Sequence, residues 1–262
     1  MKKSVFFVFL LLTFVISCNK KPTTPQAPPA TDNTPELGLK RANELLGMKR
    51  CREALPFYQQ FLSKYPKDAG AWNMFGLAYV CDTQFDAGIQ AFQQALAIQP
   101  TYTDVHNNLG VTYTEKKNYA EARKEFIEAL EDSAYPKAGP YFNLGKLAFV
   151  QGSYEESRAL AKKALDFLPK QENSKQHVAP LLLYAISLER LNRLSEARSS
   201  FEDLLNVDPN NLEGNYFMAN ILMQQNEACL ARQHYLKVVD ADPLGDLGQK
   251  AIGAMKNIHC SE

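Results

Sequence analysis

Residues that commonly carry chemistry are scarce in this chain. It has four histidines and five cysteines in 262 residues, no Cys-x-x-Cys pair and no glycine-rich phosphate loop. These absences argue against zinc, dithiol-redox and nucleotide sites. Charge of one sign is also missing. The 29 Lys+Arg balance the 29 Asp+Glu, so there is no basic field to hold nucleic acid. Glycine and proline are modest at 13 and 14, and there is one tryptophan. What the chain does have is 45% hydrophobic residues, enough to build a packed core, and prolines that are mostly spaced rather than clustered. Regular proline spacing points to internal repeats.

The N-terminus reads as an address. Lys2 and Lys3 precede an apolar stretch from Val5 to Val15 that is too short for a comfortable bilayer span and fits the core of a signal peptide. It runs into Val15-Ile16-Ser17-Cys18, the lipobox pattern of bacterial lipoproteins. Residues 1–17 are therefore expected to be removed and Cys18 to carry lipid. Three acyl chains, at about 0.8 kcal/mol per buried methylene, hold a protein on a membrane far better than one. The alternative is an ordinary secretory signal with an accidental cysteine. Asn19, rather than Asp, favours the outer membrane over inner-membrane retention. The expected location is thus the outer membrane, lipid-anchored and facing the periplasm. Residues 18–35 form a linker with Pro22, Pro25, Pro28, Pro29 and Pro35, which favours extended polyproline II and gives a reach of roughly 50 Å.

From residue 36 the pattern is helical and repeats every 34 residues. In residues 69–102, Trp72, Gly76 and Tyr79 are followed by Gly88, Phe92, Ala95 and Pro100. These fall at positions 4, 8, 11, 20, 24, 27 and 32 and resemble the tetratricopeptide pattern. Small residues let the two helices of a repeat approach closely, and the proline ends the second helix. The frame recurs at 35–68, 103–136, 138–171, 178–211 and 212–245. Leu247, Ala251, Met255 and Ile258 then share one face of a final segment that would cover the last repeat. The expected fold is all-α: a right-handed superhelical solenoid of six tetratricopeptide repeats over 36–245, plus a C-terminal capping helix over 246–262. Two irregularities break the period: Tyr135-Pro136 closes the third repeat late, and 172–177 is a polar insertion.

In such a solenoid the first helix of each repeat lines a concave groove, through positions 2, 5, 9 and 12. Half of those positions are apolar here. Some of these residues would belong to the core, but the remainder exceeds what a monomer exposes without purpose. Leu77, Val111, Phe142, Phe149, Leu182, Ile186 and Tyr216 are the expected apolar lining. Asn107 and Asn220, with Asn43 and Asn73, would offer paired donor and acceptor contacts to a peptide backbone. Lys146 is the single basic residue at these positions, which disfavours an acidic peptide tail and favours an apolar, extended or amphipathic segment of another protein.

After export the compartment is oxidising, so Cys51, Cys81, Cys229 and Cys260 are expected to pair. Four cysteines allow three connectivities. Cys51 begins the second helix of the first repeat and Cys81 ends the next helix, so the two are neighbours. Cys229 and Cys260 form a near copy at the other end. Each bridge would fasten one end of the solenoid, contributing roughly 3–4 kcal/mol by chain entropy. Four free thiols are the alternative. His106, His177, His234 and His259 lie apart, so no catalytic constellation forms; no enzyme activity, cofactor or metal is expected.

The layout of lipobox, short linker and six repeats resembles the type IV pilus pilotin lipoproteins. The local likeness is Ala129 to Pro136, with its acidic residues and closing Tyr-Pro, followed by Asn143-Leu144-Gly145. The cysteine set and the 172–177 insertion depart from many members. The resemblance implies a monomeric, lipid-anchored chaperone. It would bind an apolar membrane-inserting segment of the pilus secretin monomer and promote the secretin's insertion and multimerisation. The rival is a scaffold lipoprotein of outer-membrane assembly or peptidoglycan synthesis.

Overall fold

The structure, a computed structural model, describes residues 34–131, 137–169, 175–256 and 258. Every regular element among them is helical. The helices are α1 (Pro35–Gly47), α2 (Cys51–Lys64), α3 (Ala69–Cys81), α4 (Phe85–Ile98), α5 (Thr103–Glu115), α6 (Tyr119–Glu131) and α7 (Ala138–Val150). They continue with α8 (Tyr154–Asp166), α9 (Val178–Arg190), α10 (Leu194–Val207), α11 (Leu212–Gln224), α12 (Ala228–Ala241) and α13 (Asp246–Met255), with a 3-10 turn at Lys175–His177 before α9. Each helix packs on its sequence neighbours. The odd-numbered helices also touch one another in series from α1 to α13 and form an inner layer.

One turn is used six times. The helix pairs are joined at Lys49, Thr83, Lys117, Gly152, Asn192 and Asn226, which have φ between 57° and 78°. All six occupy position 15 of the repeat. The next residue's N–H returns to a carbonyl five residues back, as from Arg50 to Leu45 and from Gln84 to Tyr79 at 2.9 Å each. This is the six-to-one bond of a Schellman cap, in which the left-handed residue releases the chain from the helix.

Packing between the two helices of a repeat explains the small residues. Tyr58, Phe92, Phe126, Phe201 and Tyr235, all at position 24, are almost fully buried. A Cβ added to Gly76 would stand 2.6 Å from the Phe92 ring, and one on Gly110 would stand 2.4 Å from Phe126. The glycines are therefore required by the rings. The fourth repeat departs from the rule, with Ala161 in place of an aromatic. There Leu183 from the following repeat approaches Gly145, within 3.0 Å of where a Cβ would lie.

The first two repeats are fastened to each other. Cys51 and Cys81 are joined by a disulfide between the start of α2 and the end of α3, with Cα atoms 5.8 Å apart. Cys229 is also disulfide-bonded, while Cys260 lies outside the described residues. Ala251 and Ile258 are buried in the last core cluster, with Leu247 and Met255 packed against it. The final helix is shorter than the 246–262 span expected from sequence. It stops at Met255, where Lys256 and Ile258 close three-residue turns onto Gly253 and Met255. Residues 1–33, the Tyr135-Pro136 corner and residues 172–174 of the 172–177 insertion also lie outside the described residues.

Candidate binding groove

The first helices of the fourth and fifth repeats form an apolar wall. Phe142, Phe149 and Val150 of α7 and Leu182, Leu183 and Ile186 of α9 enclose a cavity of about 250 Å³, with Ala179 and Lys146 at its margin. Spacing creates this surface: 142, 146, 149 and 150 fall three or four apart on one helix face, as do 179, 182, 183 and 186 on the other. Phe142, Phe149, Leu182 and Ile186 are half-buried, whereas Val150 is 60% exposed. These side chains contact solvent in the free protein, although Leu182 and Ile186 also pack against the last core cluster and Leu183 is buried.

Sequence spacing had singled out Phe142, Phe149, Leu182 and Ile186, and the structure brings these four together. The other expected lining residues are dispersed. Leu77 packs on the core of the second and third repeats. Tyr216 sits edge-on to Phe217 and 5.9 Å from the Tyr235 ring, against the last core cluster. Val111 is 37% exposed but does not line the cavity. Val150 was missed because it stands at position 13, one residue outside the groove positions; its place four residues after Lys146 was the available signal.

The asparagines do different work from that expected. Asn43 accepts a hydrogen bond from the Tyr58 hydroxyl at 2.7 Å, and Asn220 accepts one from Tyr235 at 2.6 Å. In both repeats an Asn at position 9 meets a Tyr at position 24, and where position 24 is Phe the Asn is replaced by Leu77, Val111 or Ile186. Asn73 is buried and its Oδ1 accepts from the Asn108 amide at 2.9 Å. Asn107 accepts from Asn143, also at 2.9 Å. These oxygens therefore tie tyrosines and neighbouring repeats, a structural role not anticipated from the sequence. Aromatic hydroxyls fifteen residues downstream were the legible clue.

Lys146 is exposed, lies 5.8 Å from the centroid of the Phe142 ring and forms no ion pair among the described residues. A wider cleft of about 1020 Å³ lies between α2, α3 and α4, lined by Tyr65, Pro66, Lys67, Asp68 and Gln99 among others. Phe61, Ala69 and Ile98 give it apolar patches, but Glu36, Lys67 and Asp68 also line it, so charge interrupts its surface in a way that the α7–α9 wall avoids except at Lys146. Among the described residues no group of histidine, cysteine and acidic side chains is arranged to hold a metal, and no helix is long and apolar enough to cross a membrane.

Two histidines have their pKa values shifted in opposite directions. His106 Nδ1 lies 2.7 Å from the Glu125 carboxylate and Nε2 lies 3.1 Å from the Pro100 carbonyl. The Glu125 hydrogen bond raises its pKa; burial opposes the rise, and the Pro100 carbonyl assists it. His234 faces the Asn215 amide oxygen, and burial, then Lys237 and Arg198, lower its pKa. The pairs join positions 4 and 23 of the third and sixth repeats with the histidine on opposite sides. They sit within the helix pairs, away from the cavity.

Models of the tetratricopeptide repeat family match residues 39–101 and 182–246 in one case and 82–136 in another, together more than half of the chain. The chain belongs to the tetratricopeptide repeat proteins. A chloroplast tetratricopeptide repeat domain-containing protein, PYG7 of Arabidopsis thaliana, is 37% identical over 78 residues. That match covers 28% of this chain and 26% of the relative, so this chain spans about a quarter of that protein's length. Among solved structures, Pseudomonas aeruginosa PilF superposes with a TM-score of 0.72 at 18% identity, over 84% of this chain and 96% of PilF. PilW, a widely conserved type IV pilus biogenesis factor, gives 0.72 at 21% identity, over 85% of this chain and all of PilW. These likenesses establish the solenoid fold.

Proposed function

We propose that this protein is a lipid-anchored, non-enzymatic adaptor whose α7–α9 groove holds an apolar segment of a client protein, the client being the secretin of a type IV pilus. The observation that carries the reading is the accessible wall of Phe142, Phe149, Val150, Leu182 and Ile186 on a solenoid whose first two repeats are joined by a disulfide. Stacked repeats present extended concave surfaces of this kind to protein partners. Near-complete overlap with the folds of PilF and PilW supports a pilus client, and the Cys18 lipobox supports an outer-membrane anchor.

The mechanism is physical. The groove shields a membrane-inserting segment of the secretin monomer while the anchor delivers it. Multimerisation then buries that segment elsewhere and ends the groove's advantage for it. Purification of the lipidated protein from its own cells tests the reading. Recovery of monomeric secretin, together with unassembled secretin in cells lacking the protein, is the expected result. Recovery of peptidoglycan synthases or outer-membrane assembly factors, with secretin rings intact in the deletion strain, would assign it to a scaffold role instead.

A further inference from the structure

The groove's chemistry restricts the shape of its occupant. The side chains facing the cavity from Phe142, Phe149, Val150, Ala179, Leu182 and Ile186 have no hydrogen-bonding group, and the backbones of α7 and α9 are consumed by their own helices. Asn107 and Asn143, tied to each other through one amide hydrogen bond, do not line the cavity. A strand laid on this wall would leave its backbone N–H and C=O groups against hydrocarbon without partners, which is costly for every residue it buries. A helix arrives with those bonds already made and presents only side chains. The one charged group at the cavity, the Lys146 ammonium, is exposed and without a carboxylate partner among the described residues.

The geometry points to an amphipathic α-helix of the partner as the occupant, its apolar stripe on Phe142, Phe149, Leu182 and Ile186 and an acidic side chain beside that stripe meeting Lys146. This rests on the groove reading above and adds the conformation and charge of what binds there. An apolar stripe flanked by one carboxylate is discriminated from one flanked by a cation through Lys146 alone, because no other charged side chain lines the cavity.

Fluorescence anisotropy with the full mature protein and three labelled peptides of about 18 residues, some five helical turns, tests this. The first carries a leucine stripe at helical spacing flanked by glutamate. The second replaces that glutamate by lysine. The third keeps the first composition but has a central proline that prevents a continuous helix. The first peptide is expected to bind about tenfold more tightly than the third and about fivefold more tightly than the second. Lys146→Glu should invert the preference between the first two, and added salt should shrink it. If the proline peptide binds as well as the first, the occupant is extended, and the helix proposal fails while the apolar groove stands. If the two charged peptides bind alike and Lys146→Glu changes nothing, the acidic contact fails. If no peptide binds, or binding is indifferent to Phe149→Glu and Ile186→Glu, the helix proposal and the groove reading fall together.

Discussion

The indole Nε1 of Trp72 donates a hydrogen bond at 2.9 Å to the carbonyl of Pro66, six residues earlier. An imidazole and two carboxamides form the same link. His106 reaches Pro100 at 3.1 Å, Asn215 reaches Pro209 at 3.0 Å and Gln249 reaches Pro243 at 2.7 Å. In each case an N–H at position 4 of one repeat satisfies the carbonyl of the proline that closed the previous one. The tie fixes the corner between repeats. Tyr141 and Leu181, at the equivalent places in the fourth and fifth repeats, have no proline six residues before them. Those two repeats supply α7 and α9, so the apolar wall is built on two helices before which the sequence lacks that proline.

Thr83 is a β-branched residue at φ 61°, in the turn where the fourth repeat uses Gly152. Left-handed backbone costs such a residue of order 1–2 kcal/mol, and glycine adopts it freely. Thr83→Gly is therefore expected to raise unfolding stability by about 1 kcal/mol, after the entropy glycine returns to the unfolded chain. Gly152→Thr should lower it by a similar amount. Urea denaturation of both variants checks the pair; equal and negligible effects would contradict the role assigned to position 15.

Gly110→Ala should destabilise by about 1–3 kcal/mol, because its Cβ would meet the buried Phe126 ring at 2.4 Å and the ring cannot retreat. Gly139→Ala has nothing within 4 Å and should be neutral or slightly stabilising. Thermal melts of the two variants separate steric from conformational effects.

His106 is held by Glu125 with its pKa raised, so the folded state binds its proton more tightly than the unfolded chain does. That contribution is complete below the ordinary histidine value of about 6.5 and is lost as pH rises through the raised folded value. Glu125→Gln should therefore cost about 1 kcal/mol at pH 6 and markedly less at pH 8.5. His234 has the opposite sign: its lowered pKa supports folding above about 6.5 and ceases to do so as pH falls through the folded value. Denaturant titrations at the two pH values, on the single variant, isolate the His106 effect.

Cys18→Ser should abolish lipid attachment and leave the protein soluble or at the inner membrane. Fractionation with the outer membrane despite the substitution would overturn the anchor.

Periodicity made most of the fold legible. The aromatic at position 24, the small residue at 8 and the proline at 32 are each consequences of close helix packing and helix termination, and all are visible at a spacing of 34. The four cavity residues were legible for the same reason, since positions 5, 9 and 12 of neighbouring repeats share one surface. What stayed hidden was polar. Trp72 reads as bulk, yet its N–H is what the corner uses, and His106 and Asn215 look unrelated to it until the shared carbonyl is seen. Asn220 reads as a groove donor, but Tyr235 lies fifteen residues away in sequence and 2.6 Å away in space. Hydrogen-bond pairing depends on directions that periodicity does not encode.

Assembly of secretin in cells carrying Phe149→Glu with Ile186→Glu tests the central claim most directly, with Val150→Glu as a third variant at the most exposed point of the wall. Val150 is exposed, so Val150→Glu should melt close to the unmodified protein; Phe149 and Ile186 are half-buried and Ile186 also packs against the last core cluster, so the double variant should keep its helical content with a somewhat lower melting temperature. Each lost apolar contact should remove about 1.5–3 kcal/mol of client binding, at least a tenfold weakening, so the secretin should remain monomeric and pili should be lost. Normal secretin multimers in a stably folded double variant, and in Val150→Glu, would contradict the account.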